Sequence, residues 1–112
     1  MSGSRPLLFL ALAALTLAAH SADPSVTIES PADGASIDAM AQTRLVYRVE
    51  PGPQGDHTHL YVDGKEAAIL RSLKGSHTLA TLAPGSHEIC IKVVNKAHTP
   101  IGVENCIKVT VQ

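Results

Sequence analysis

Between residues 25 and 111 the chain runs in short stretches that alternate apolar with polar residues, and each stretch is cut by Gly, Pro, Asn or Asp. Alternation of period two puts every second side chain on one face of a strand. No stretch in this region sustains the 3.6-residue period of an amphipathic helix, so its apolar side chains are expected to be buried by sheet against sheet. Seven segments carry the pattern: 25–29, 43–49, 57–62, 66–70, 77–82, 87–95 and 104–111. The clusters Ser30-Pro31-Ala32-Asp33-Gly34, Pro51-Gly52-Pro53-Gln54-Gly55, Lys74-Gly75 and Ala83-Pro84-Gly85 separate them as turns. Asp63-Gly64 is the sharpest turn signal, because a type I′ hairpin needs positive φ at both central positions.

Short strands punctuated at such intervals form a sandwich or a small barrel. Taken in immunoglobulin order, they predict an all-β, immunoglobulin-like β-sandwich of about seven strands. Face assignments follow from parity. Ile89, Ile91 and Val93 point inward, with Ile107, Val109 and Val111 on the next strand and Thr58, Leu60 and Val62 on 57–62. His57, His59, Tyr61, Cys90, Lys92 and Cys106 then point outward.

The first residues read MSGSRP, then LLFLALAALTLAA, then HSAD. A basic start, a short apolar run and a small-residue exit are the parts of a secretory signal. The run is shorter than the roughly 20 residues a membrane span requires, so no anchor is expected. Ala19-His20-Ser21 supplies a small-x-small cleavage site and Ala22 a one-residue alternative. The expected organisation is a signal peptide over 1–22 and one immunoglobulin-like domain over 23–112, periplasmic or secreted. The chain has nine basic and ten acidic residues. Arg5 falls in the leader, which leaves a net charge of −2 beyond it. Without a Lys/Arg run there is no electrostatic footprint for nucleic acid.

The two cysteines, Cys90 and Cys106, face each other on the outward side if the last hairpin is centred near His98. Export to an oxidising compartment permits a disulfide there. In the chain-entropy account such a bridge contributes roughly 3 kcal/mol. The alternatives are a thiolate metal ligand or redox pair, and two free thiols.

Five of the six histidines lie beyond the leader, at 57, 59, 77, 87 and 98. In a strand, His57-Thr58-His59 puts both rings on one face with Cα atoms roughly 6.6 Å apart, within reach of a single metal bound at about 2.0–2.1 Å. In a sandwich the loops 50–56 and 96–103 emerge at the same end. His98 joins the pair there, with His77 as a further candidate. Asp56 serves as a ligand or as the acceptor that orients a ring. The competing readings of these residues are a site for an organic or protein ligand, and exposed strand histidines with no site. His87, after Leu82-Ala83-Pro84-Gly85, is expected to bond the preceding corner backbone, the role a tyrosine takes in many sandwiches.

Together, Ser30-Pro31-Ala32-Asp33-Gly34-Ala35, Gly55-Asp56-His57-Thr58-His59-Leu60-Tyr61-Val62-Asp63, Ala83-Pro84-Gly85-Ser86-His87 and Ala97-His98-Thr99-Pro100 resemble a group of small bacterial periplasmic immunoglobulin-like domains of unknown function. Similarity to copper-carrying periplasmic sandwiches is looser. The resemblance implies the fold, the compartment and a grouping of His57, His59 and His98.

Imidazole nitrogen suits copper and zinc. The sequence therefore predicts a binding module, not an enzyme, whose partner is a metal ion or an envelope protein. The cofactor is copper or zinc, or none if the module is purely structural. No G-x-S-x-G elbow, H-E-x-x-H helix or phosphate-binding glycine loop is present in the sequence.

Overall fold

A computed structural model describes residues 3–4 and 23–112; the expected signal peptide lies, those two residues apart, outside the described residues. Among the described residues there are eight strands: β1 (Ser25–Ser30), β2 (Ser36–Ile37), β3 (Arg44–Glu50), β4 (His57–Val62), β5 (Lys65–Leu70), β6 (Lys74–Thr78), β7 (Gly85–Val94) and β8 (Pro100–Val111). They form a three-stranded sheet in the order β1-β3-β6 and a five-stranded sheet in the order β2-β8-β7-β4-β5. No helix occurs among the described residues. The all-β sandwich is as expected, with one strand more: Ser36 and Ile37 add a parallel pairing to the end of β8.

The parity argument holds for the core. Leu45, Leu60, Ile89, Ile91 and Val93 are almost wholly withdrawn from water and pack with Tyr47, Val49, Ile107 and Val109 between the sheets. Each such aliphatic side chain contributes about 1.5–3 kcal/mol relative to an exposed one. The Tyr47 hydroxyl donates to Ser72 O at 3.0 Å, which satisfies its polar end. Asn105 Nδ2 donates to Val26 O and ties the two sheets together at their β8 and β1 faces.

Asp63 and Gly64 have φ values of 52° and 80°, and Val62 pairs with Lys65 across them. This is the two-residue hairpin read from the sequence. Most strand boundaries fall within two residues of expectation, and two strands differ by more. Lys74-Gly75, read as a turn, belongs to β6, where Gly75 sits opposite Tyr47 and Lys74 opposite Arg48. β6 also ends at Thr78 and not at 82, because Arg44, the first residue of β3, already faces Thr78. β8 starts at Pro100 and not at 104, after a register shift between Lys92 and Val94.

Cys90 and Cys106 are direct cross-strand partners on β7 and β8 and are joined as a disulfide. The same register that buries Ile89 against Ile107 on the inner face brings the two sulfurs together on the outer one.

Candidate metal centre

β4 is an inner strand of the five-stranded sheet, between β5 and β7. His57 and His59 project from its outer face, yet they are only 2% and 3% exposed. Outward parity therefore did not mean exposure. The loop 95–99, which joins β7 to β8, brings the His98 ring against both, with ring centroids 4.6 Å from His57 and 5.1 Å from His59.

That loop is held from within. Asn95 Oδ1 accepts from the Ala97 and Thr99 amides at 2.9 and 3.0 Å, the Asn95 amide donates to Thr99 O, and the His98 amide donates to Asn95 O. His98 adopts φ 62°, a conformation that costs an ordinary side chain energy and that the closed loop maintains. On the other side, the Asp56 amide donates to Val94 O at 2.9 Å and locks the start of β4 onto β7. Gly55 makes this approach possible: a Cβ there would meet Pro51 O at 2.3 Å and Val93 Cγ1 at 2.7 Å.

The result is a triangle of ring nitrogens. His57 Nε2 lies 3.1 Å from His59 Nε2 and 3.3 Å from His98 Nδ1, and the latter two are 3.0 Å apart. Three ring nitrogens at these separations are close enough for one ion to be held at about 2.0–2.1 Å from each.

The hydrogen-bond accounting also points to a cation. His57 Nδ1 donates to Asp56 Oδ2 at 2.9 Å, so in the neutral ring Nε2 is a bare acceptor facing the triangle. His59 Nδ1 is buried with no hydrogen-bond partner, and Glu66 Oε1 is 3.5 Å away. If His59 donated into the triangle through Nε2, its Nδ1 lone pair would be stranded in the interior. If it carries the proton on Nδ1, two bare nitrogens face each other. Either arrangement leaves a buried polar atom uncompensated, which costs about 1–3 kcal/mol. A cation at the centre would compensate the facing lone pairs and fix the His59 proton on Nδ1, which then still needs an acceptor. Burial holds the His59 pKa below the usual imidazole range, and the charges of His57, His98 and Arg71 lower it further against the opposing pull of Glu66. The neutral ring favoured in this way is the form that binds metal.

Of the candidate residues, the structure brings His57, His59 and His98 together and places Asp56 against His57. His77 is not brought there. It lies on β6 in the other sheet, opposite Leu45, and lines an apolar cavity of about 360 Å³ with Leu60, Val62, Leu79 and Leu82. Because β6 begins at Lys74, His77 falls near the strand's far end and not at its start. Glu66 was not foreseen as a neighbour of the site, since nothing in the sequence marks the irregularity that turns it toward His59. Asn95 carried a readable signal, an Asn opening a short turn. A second grouping of donor atoms, Glu88 with Cys90 and Cys106, offers no free thiolate because the two sulfurs are bonded to each other.

His87 occupies the opposite end of the β4–β7 pair. Its Nε2 donates to Ala83 O at 2.6 Å and its Nδ1 to Asp63 Oδ2 at 2.5 Å. The predicted corner bond is there, joined by a carboxylate partner. With both ring nitrogens donating, the ring is the imidazolium. The hydrogen bond that His87 donates to Asp63, then the one to Ala83 O, raises the His87 pKa, while the bonds from His87 and the Glu88 amide lower that of Asp63.

No protein-family profile matches the sequence, and no curated protein matches it. Among solved structures, the chain is similar to fibronectin(III)-like modules of Clostridium thermocellum CbhA, with a TM-score of 0.64 at 18% identity over 77% of this chain and 93% of that one. It also resembles an engineered protein, with a TM-score of 0.57 at 22% identity over 82% of this chain and 21% of that one. A third similarity is to a lytic polysaccharide monooxygenase from Jonesia denitrificans, with a TM-score of 0.52 at 22% identity over 73% of this chain and 60% of that one. At these identities the shared property is the fold, an immunoglobulin-like sandwich of the fibronectin(III)-like kind.

Proposed function

We propose that this protein is an exported, non-catalytic binding module that holds a divalent metal ion, copper or zinc, through His57, His59 and His98. The observation that carries the reading is the triangle of three ring nitrogens at 3.0–3.3 Å, two of them on almost fully buried rings. Asp56 on His57 adds the carboxylate–histidine arrangement that fixes tautomer and ring direction at metal sites. All-nitrogen donors suit borderline metals better than calcium or magnesium, which prefer oxygen. The leader-like start and the Cys90–Cys106 disulfide support a periplasmic or secreted location.

Isothermal titration of the metal-stripped protein, begun after the leader, tests the proposal. Saturable uptake of one zinc or copper ion, lost in His57→Ala and His98→Ala, is the expected result. Uptake that persists in both variants, or no uptake of either metal, would refute it.

A second reading is an interaction module that engages an envelope protein without metal. It draws on the similarity to fibronectin(III)-like modules and on the outer edge of β5, which has no strand partner among the described residues and carries Ile69 at 45% exposure. Co-purification of the triple His→Ala variant with the same envelope partner as the unaltered protein would favour it.

A further inference from the structure

The ladder between β4 and β5 is irregular at one place. His59 pairs with Ile69 and Leu60 with Ala68, but Tyr61 pairs with Glu66 and Val62 with Lys65. Glu66 and Ala67 together therefore oppose the single residue Tyr61, which is a β-bulge. Had the pairing continued regularly from Leu60–Ala68, Glu66 would oppose Val62, a residue that packs against the core. The bulge moves it instead to the face of Tyr61, which is also the face of His57 and His59.

The carboxylate arrives beside an orphaned atom. Glu66 Oε1 is 3.5 Å from His59 Nδ1, just beyond hydrogen-bond distance, and that nitrogen is buried without a partner. The two side chains differ sharply in freedom: His59 is 4% exposed and fixed, whereas Glu66 is 48% exposed. A small rotamer change in Glu66 closes the gap. Asp56 already does the same for His57. Three neutral imidazoles contribute no charge, so the two carboxylates together balance an ion of charge +2.

We infer that Glu66 is a positioning residue for the metal centre: it accepts the Nδ1 proton of His59, aims the Nε2 lone pair into the triangle and, with Asp56, neutralises the divalent ion. The inference rests on the metal reading above. It also assigns the β4–β5 bulge a purpose, because the bulge is what puts an acidic side chain on the histidine face.

The test compares zinc affinity, by competition against a chromophoric chelator, in the unaltered protein, Glu66→Gln and Glu66→Ala. Loss of an outer-shell partner of a metal-bound histidine weakens binding about 10–100-fold, which is the result expected for Glu66→Ala. Glu66→Gln keeps an acceptor but no charge and should fall between. Nitrogen NMR of the His59 ring in the zinc-loaded protein should find its proton on Nδ1. Melting of the metal-free variants should be unchanged, since Glu66 is half exposed and its partner atom is not yet bonded. Glu66→Ala binding as tightly as the unaltered protein, or His59 protonated on Nε2, would overturn the assignment and leave the metal reading standing. Failure of the unaltered protein to take up zinc or copper would overturn the metal reading and this inference with it.

Discussion

A cluster of three histidines and a single histidine sit at opposite ends of the same strand pair, and they have been given opposite chemistry. At one end of β4 and β7, His57, His59 and His98 turn ring nitrogens toward one another at 3.0–3.3 Å, in a pocket closed by the 95–99 loop. At the other end, His87 gives both of its ring protons away, one to a carboxylate and one to a backbone carbonyl. In the first environment the proton is unwelcome and the lone pair is the useful feature. In the second the proton is what binds the corner together. The residue type is the same, so the difference comes from what surrounds it: buried rings facing rings on one side, and on the other an acidic side chain placed by a turn. Asp63 is central to this second environment, because the left-handed conformation that makes it a hairpin residue also leaves its carboxylate free to meet His87 and the Glu88 amide.

The largest effect that would break this contrast is ligand removal. His57→Ala or His59→Ala should lower zinc or copper affinity by more than the roughly 10–100-fold that an outer-shell partner is worth. His87→Ala should leave that affinity alone. Calorimetric titration of the three variants side by side separates the two ends. If His87→Ala weakened metal binding as much as His57→Ala, the two ends would not be independent.

Next in size is the staple between them. Cys90→Ser with Cys106→Ser should destabilise the protein by roughly 3 kcal/mol. Urea unfolding measures this, and the metal affinity of the folded variant should not move, because the 95–99 loop is closed by its own hydrogen bonds.

Metal added to the protein gives a stabilisation of its own. At a free zinc concentration about 100 times the dissociation constant, mass action adds about 2.7 kcal/mol. For a domain of this size that raises the melting temperature by about 10–20 °C. Thermal scans with and without a chelator should show the shift in the unaltered protein and in His87→Ala, and not in His57→Ala.

The smallest effect concerns pH, where the two ends should respond in opposite directions. His87 has a raised pKa, so its contribution to stability is complete below its ordinary value of 6.5 and is lost as pH rises through its folded value. Asp63 has a lowered pKa, so its contribution is complete above 3.8 and is lost as pH falls through its folded value. The corner is therefore firmest between those limits and loosens toward alkaline pH. Metal affinity should instead increase with pH below that alkaline range, where His59, whose pKa is lowered by burial, gives up its competing proton. Asp63→Asn keeps a residue tolerant of positive φ and removes the charge. Its urea midpoint should lose the decline above 6.5 seen in the unaltered protein; an unchanged pH profile would remove the ion pair from the account.

How much of this was readable beforehand varies with the range of the interaction. The Asp63-Gly64 hairpin was legible because the two positive φ values are a local demand. The inward row of Ile89, Ile91 and Val93 was legible because period two is a property of the strand itself. The pairing of Cys90 with Cys106 needed only a hairpin centre. By contrast, the burial of His57 and His59 depends on a loop some 40 residues away in sequence. The exclusion of His77 depends on where β3 begins. The arrival of Glu66 depends on a bulge that no residue type announces.

The amino-acid sequence by itself determined the strands, the inner and outer faces and the end of the sandwich at which histidines gather, because alternation and turn chemistry act over a few neighbouring residues. The tertiary structure alone decided which of those histidines meet, which ring is left with an unpaired nitrogen and which carboxylate stands beside it. Those outcomes follow from register and loop closure, where one residue of shift moves a side chain to the other face, and that is settled only when distant segments pair.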